Sequence, residues 1–130
     1  MSAVELRGRW LVRGLAEGLA LTSPEPIGFL GGVDPDTGVV IERGHPLEGE
    51  CVAGRILVFP TGKGSTVGSY TLYRLAKNGL APAAIINASG DAVTTVGAII
   101  SGIPMVDQID VSLISTGERV VVEGELVTVG

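Results

Sequence analysis

The spacing of apolar positions changes twice along this chain, dividing it into a β-rich start, an alternating middle and a β-rich end. Residues 5–21 are rich in Leu and Val but interrupted by Gly8, Gly14 and Gly18, which predicts one bent or bulged strand. Ser23-Pro24-Glu25-Pro26 breaks it, and Asp34-Pro35-Asp36-Thr37-Gly38 is a turn leading into a short strand at Val39-Val40-Ile41. A further loop opens at Gly44-His45-Pro46-Leu47. The continuous apolar run at residues 55–59 then predicts a fully buried strand ended by Pro60.

In the middle the period lengthens. Val67, Tyr70, Leu72, Tyr73, Leu75 and Ala76 fit a helix over residues 65–77, with Asn78-Gly79 as its left-handed C-terminal cap and Pro82 beyond. Residues 83–87 form a second buried strand. Asp91 is placed to N-cap a second helix running through Ile100 and closed by Gly102 and Pro104. Met105-Val106 is a short strand. The tail returns to β, with a hairpin pairing residues 111–114 with 119–123 around Thr116-Gly117-Glu118, and a terminal strand at 125–129. The expected architecture is α/β: a mixed sheet or barrel core with two or three packed helices, in one domain over residues 1–130.

Composition narrows what such a domain can do. The 130 residues are 45% hydrophobic and only 18% charged, with a net charge of −5. An acidic chain without a Lys/Arg cluster lacks the electrostatic footprint of a nucleic-acid binder, and 4% aromatics leave few bases' worth of stacking surface. The N-terminal Met1-Ser2-Ala3-Val4-Glu5-Leu6-Arg7 carries charge where a signal peptide needs an apolar run, and no stretch approaches the ~18 uninterrupted apolar residues of a membrane span. A cytoplasmic protein is expected. With a mean hydropathy of +0.46, the surface of so small a domain has room for an apolar partner face. The single cysteine, Cys51, excludes an intrachain disulfide and a cysteine cluster for iron–sulfur or zinc.

The segment with chemical content is Phe59-Pro60-Thr61-Gly62-Lys63-Gly64-Ser65-Thr66, which follows a buried strand and opens a helix. Its glycines let the backbone approach a ligand, and amides at a helix start attract anions. It is not a nucleotide P-loop: Leu57 stands where that motif needs its first Gly, and Gly64 follows Lys63 where it needs Ser or Thr. The residue types alone describe an anion-binding turn, and they equally describe Ser65 as a simple cap and Lys63 as a solvated charge.

The run Gly62-Lys63-Gly64-Ser65-Thr66-Val67-Gly68-Ser69-Tyr70 resembles the signature of the small subunit of the aconitase X family. The similarity extends through Phe29-Leu30-Gly31-Gly32-Val33-Asp34-Pro35, residues 53–60, residues 83–87 and residues 97–107, in the same order. That resemblance implies a swivelling β/β/α domain closing over a large catalytic subunit, which would carry an iron–sulfur cluster of the 4Fe-4S kind while this chain binds no cofactor. It implies a hydro-lyase removing water from (R)-5-phosphomevalonate to give trans-anhydromevalonate 5-phosphate, as in the archaeal mevalonate route to isoprenoids. Ser65 would be the catalytic base, with Lys63, Gly64 and Thr66 touching a phosphorylated hydroxy-acid substrate.

Related dehydratases of hydroxy acids such as cis-3-hydroxyproline are the alternative within the family. A non-catalytic anion-binding assembly module is the alternative outside it. Elsewhere, His45 reads as structural, Cys51 as a small core or edge hydrophobe, and Trp10 as a packing or interface residue. Asn87 and Asp91 flank a strand-to-helix junction suited to ligand contact or capping.

Overall fold

The computed structural model describes residues 3–130; Met1 and Ser2, at the head of the segment read above as lacking a leader, lie outside the described residues. The strands are β1 (Val4–Arg7), β2 (Arg9–Val12), β3 (Leu15–Thr22), β4 (Ile56–Phe59), β5 (Ala84–Asn87), β6 (Met105–Asp107), β7 (Arg119–Glu123) and β8 (Leu126–Val129). Two helices, α1 (Gly68–Lys77) and α2 (Ala92–Ser101), and a 3₁₀ turn at Val111–Leu113 complete the elements.

The strands pair in the order β1-β8-β7-β3-β4-β5-β6-β2. The outermost two, β1 and β2, are consecutive in the chain, so the sheet curls until its edges approach each other at Gly8, forming a nearly closed barrel. The Gly8 amide donates to the Glu125 carbonyl at 3.0 Å. A side chain there would put its Cβ 2.2 Å from the Asp107 carbonyl oxygen, so the corner requires glycine. β3 makes the opposite corner: Leu15 to Leu19 pair antiparallel with β7, and Ala20 to Thr22 pair parallel with β4. Residues 5–21 are therefore three strands, not the single bulged strand expected, because Gly8 and Gly14 fall between strands while Gly18 sits inside β3.

Two apolar clusters sit on either side of the parallel strands. Leu57, Phe59 and Ile85 face Leu72 and Leu75 of α1 and Ala98 of α2, while Ile56, Val58 and Ile86 face Val106, Val120, Val122 and Val127 inside the barrel. Both faces of β4 and β5 are covered, which is why their sequences read as continuous apolar runs rather than alternating ones. Each fully buried Leu, Ile or Phe contributes on the order of 1.5–3 kcal/mol.

The helix ends follow local chemistry. α1 closes in a Schellman arrangement: Gly79 lies at φ +71°, its amide reaches Ala76 O at 3.1 Å, and Leu80 N–H reaches Leu75 O at 2.8 Å. α2 opens on Asp91, which accepts the Thr94 amide, and closes on left-handed Gly102. Three expectations differ. α1 begins at Gly68 rather than residue 65, since residues 65–68 form a separate turn with Gly68 N–H on Ser65 O at 2.9 Å. Residues 111–114 are not a strand: Asp110 Oδ1 accepts the Ser112 amide at 3.1 Å and turns the chain, so the terminal hairpin is β7 with β8. Residues 39–41 make only isolated bridges, Val40 with Val33 and Val39 with Cys51.

Candidate active site

The loop leaving β4 is held from two sides. Ile27 runs beside it in parallel, its amide donating to Thr61 O at 3.3 Å and its carbonyl accepting from Lys63 N–H at 3.1 Å. From the other side comes Asp91, whose Oδ1 accepts the Gly62 amide at 2.9 Å while Oδ2 accepts the Thr94 amide at 3.0 Å. One carboxylate thus caps α2 and anchors the loop. A Cβ on Gly62 would fall 2.4 Å from Asp91 Oδ1 and 2.3 Å from Thr94 Oγ1, so this approach exists only with glycine.

Beyond that anchor the chain turns outward. Gly64 adopts φ +90°, and residues 63–67 are exposed. Ser65 Oγ accepts the Val67 amide at 3.1 Å, and Ser69 Oγ donates to Thr66 O at 3.0 Å. The amides of Gly64, Ser65 and Thr66 donate to no acceptor among the described residues. Successive amides at the approach to a helix N-terminus form a setting that favours negative charge. Thr66 joins Ser69, Ala92, Val93 and Val96 around a hollow of about 220 Å³ between the starts of α1 and α2. A larger open depression of about 500 Å³ lies around Gly8, Arg9, Trp10 and Glu125 and includes none of the loop residues.

Lys63 sits differently from its neighbours. Its ammonium meets Glu42 Oε2 at 2.8 Å, with the lysine side chain 46% exposed. The cation is therefore shared with a carboxylate that nothing in the sequence spacing linked to it. Such surface pairs are worth about 0–1 kcal/mol and yield easily to a competing anion.

A second anchor was equally invisible in the sequence. Asp107, at the end of β6 and almost fully buried, accepts both Arg9 Nε at 3.0 Å and Nη2 at 2.8 Å, and also the Gly90 amide at 2.9 Å. The Arg9 hydrogen bonds hold its carboxyl below the ordinary range, the Gly90 amide helps, and burial opposes. Asp107 thereby fixes the residue preceding Asp91. Asn87 ties strand ends together, its amide donating to Phe59 O at 2.9 Å; its buried Oδ1 has no partner among the described residues.

Backbone groups engage both ring nitrogens of His45: Nδ1 accepts the Leu47 amide at 3.1 Å and Nε2 lies 2.9 Å from Pro26 O, which suits a structural role. Cys51 is exposed at an edge rather than packed in the core. Trp10 is 48% exposed. Among the described residues no three His, Cys, Asp or Glu side chains converge as metal ligands. With one cysteine in the chain, the donor set does not fit an iron–sulfur cluster.

Comparison with known proteins gives the family. The family model described as Aconitase X swivel domain matches residues 5–129. The phosphomevalonate dehydratase small subunit of Methanocella arvoryzae is 54% identical over 124 residues, covering 93% of this chain and 94% of that one. Its counterpart in Thermococcus gammatolerans is 53% identical, covering 95% and 96%. The crystal structure of Thermococcus kodakaraensis aconitase X in its holo form superposes with a TM-score of 0.96 at 50% identity, covering 98% of each chain. A chain with this barrel, this loop and these relatives belongs to the aconitase X swivel-domain family.

Proposed function

We propose that this chain, acting as one domain over residues 1–130, is the small subunit of a phosphomevalonate dehydratase and supplies its proton-abstracting base, Ser65. The relatives' shared name supports the reaction and the existence of a large subunit. The observation that carries the residue assignment is the hydrogen bond from the Val67 amide to Ser65 Oγ at 3.1 Å, in an exposed loop leading to a helix start.

The reaction removes a proton from the carbon beside the substrate's carboxylate. The C–H electron pair becomes the new double bond, and the hydroxyl on the next carbon departs with its bonding pair and takes up one proton, replacing the one the base removed, so that the sum is loss of one water. A serine oxygen accepts that proton well only as an alkoxide, and each unit by which its pKa falls needs about 1.4 kcal/mol of preferential stabilisation. The Val67 amide and the positive end of α1 supply part of this. The free amides of Gly64 and Thr66, and the Thr66 hydroxyl, are placed for an anionic group of the substrate. Lys63 joins them by turning from Glu42.

The iron–sulfur cluster that the family resemblance implies belongs on the large subunit, because this chain has one cysteine. Among the described residues no helix is long and apolar enough to cross a membrane, in keeping with an enzyme of the cytoplasm.

Ser65→Ala, assembled with the large subunit, should lower kcat for 5-phosphomevalonate dehydration about 10²–10⁴-fold. Competition separates the substrates: a phosphorylated six-carbon hydroxy acid should protect the complex, and cis-3-hydroxyproline should not. Full activity of the large subunit without this chain would instead support a non-catalytic assembly module.

A further inference from the structure

We propose that the outward face of α2, together with Leu30, Val67 and Tyr70 beside it, is the surface on which the large subunit seats. The inference rests on reading this chain as one half of a dehydratase, and it names the part of the surface that completes the enzyme. None of the ten residues of α2 (Ala92–Ser101) is charged. Thr94, Gly97 and Ala98 are buried, Gly97 against Leu72 and Ser69 of α1. Val96, Ile99 and Ile100 point the other way, with 48%, 57% and 44% of their surface exposed. A helix that is apolar on its outer face as well as its inner one belongs inside an assembly.

The patch continues onto the neighbouring elements. Tyr70 of α1 is 64% exposed, Val67 49% and Leu30 50%. A Cβ on Gly68 would lie 3.5 Å from the Leu30 amide nitrogen and 3.6 Å from Val93 Cγ1, and the hollow lined by Thr66, Ser69, Ala92, Val93 and Val96 sets α2 beside the Ser65 loop. Single exposed apolar residues are ordinary, whereas a contiguous set beside a functional loop marks a partner surface.

The same contiguity selects the occupant. A second copy of this chain seated here would cover Ser65 and Thr66 and shut the loop from any substrate. The large subunit has to approach this side in any case, since Ser65 must reach a substrate bound between the two chains. One surface therefore serves both docking and chemistry.

The test is a calorimetric titration of the cluster-loaded large subunit with the wild-type small subunit and with Ile99→Lys, Ile100→Lys and Leu15→Lys. Leu15 is 75% exposed on β3, away from the helices. Ile99→Lys and Ile100→Lys should each weaken binding tenfold or more, with kcat recovered at saturating large subunit, while Leu15→Lys stays within about twofold. Thermal melts of the isolated chains should coincide; if a lysine unfolds the chain, Ile99→Ser gives the same comparison. Ser65→Ala in the same titration should bind normally, so a failure of the base assignment shows in turnover and a failure of this proposal shows in affinity. Unchanged affinity of the α2 variants would overturn the proposal. So would a wild-type dimer that Ile99→Lys dissociates without changing affinity for the large subunit.

Discussion

Around Ser65 the charge that an alkoxide would carry is met mainly by backbone, so the residues that matter most are those that fix the backbone's path. Asp91 is the clearest of them, because one oxygen holds Gly62 and the other caps α2. The two roles separate by substitution. Asp91→Ser keeps a side-chain oxygen for the Thr94 amide but is too short to hold Gly62 as well, so it should retain most of the stability while kcat drops and binding of the large subunit is unchanged. Asp91→Ala loses both contacts and should cost about 1–2 kcal/mol in urea unfolding. Asp91→Ser with wild-type kcat would show that the anchor has no part in the reaction.

At the scale of elements, the Arg9–Asp107 pair stitches β2 to β6 and steadies the turn into α2 through Gly90. Asp107 has its folded-state pKa below the ordinary value of 3.8, chiefly through the Arg9 hydrogen bonds. Its stabilisation is therefore fully present above about pH 4 and is lost as pH falls through the folded value. Asp107→Asn should lower stability at pH 7 and flatten the fall in unfolding free energy between pH 4 and pH 2, as followed by urea titration; a slope equal to wild type would contradict this. Elements closed by local chemistry were legible in the sequence: Asn78-Gly79 ends α1 and Asp91 starts α2 through contacts within a few residues. The misread strand at 111–114 carried a local signal too, the Asp110–Ser112 turn, but its apolar residues imitate a strand and outweighed it. Glu42 with Lys63, Arg9 with Asp107, and Ile27 beside the loop join positions far apart in the chain, and no periodicity encodes such pairings.

For the whole molecule the decisive feature is closure. Gly8 lets consecutive strands take opposite edges of the sheet, which turns an open layer into a barrel and leaves both helices on one side, with the Ser65 loop between their starts. Gly8→Ala should cost about 1–3 kcal/mol in thermal or urea unfolding, because the backbone of β6 must move to admit a methyl group; unaltered stability would mean that the corner is looser than its geometry. On the function proposed above, a barrel presenting an exposed serine beside an uncharged helix is half an enzyme, completed by a second chain. The most direct measurement is the turnover of 5-phosphomevalonate by the large subunit assembled with wild-type or Ser65→Ala small subunit, with the affinity of assembly measured alongside. The account predicts equal affinity and a kcat lower by about 10²–10⁴-fold for Ser65→Ala, and near-normal turnover by that variant would contradict it.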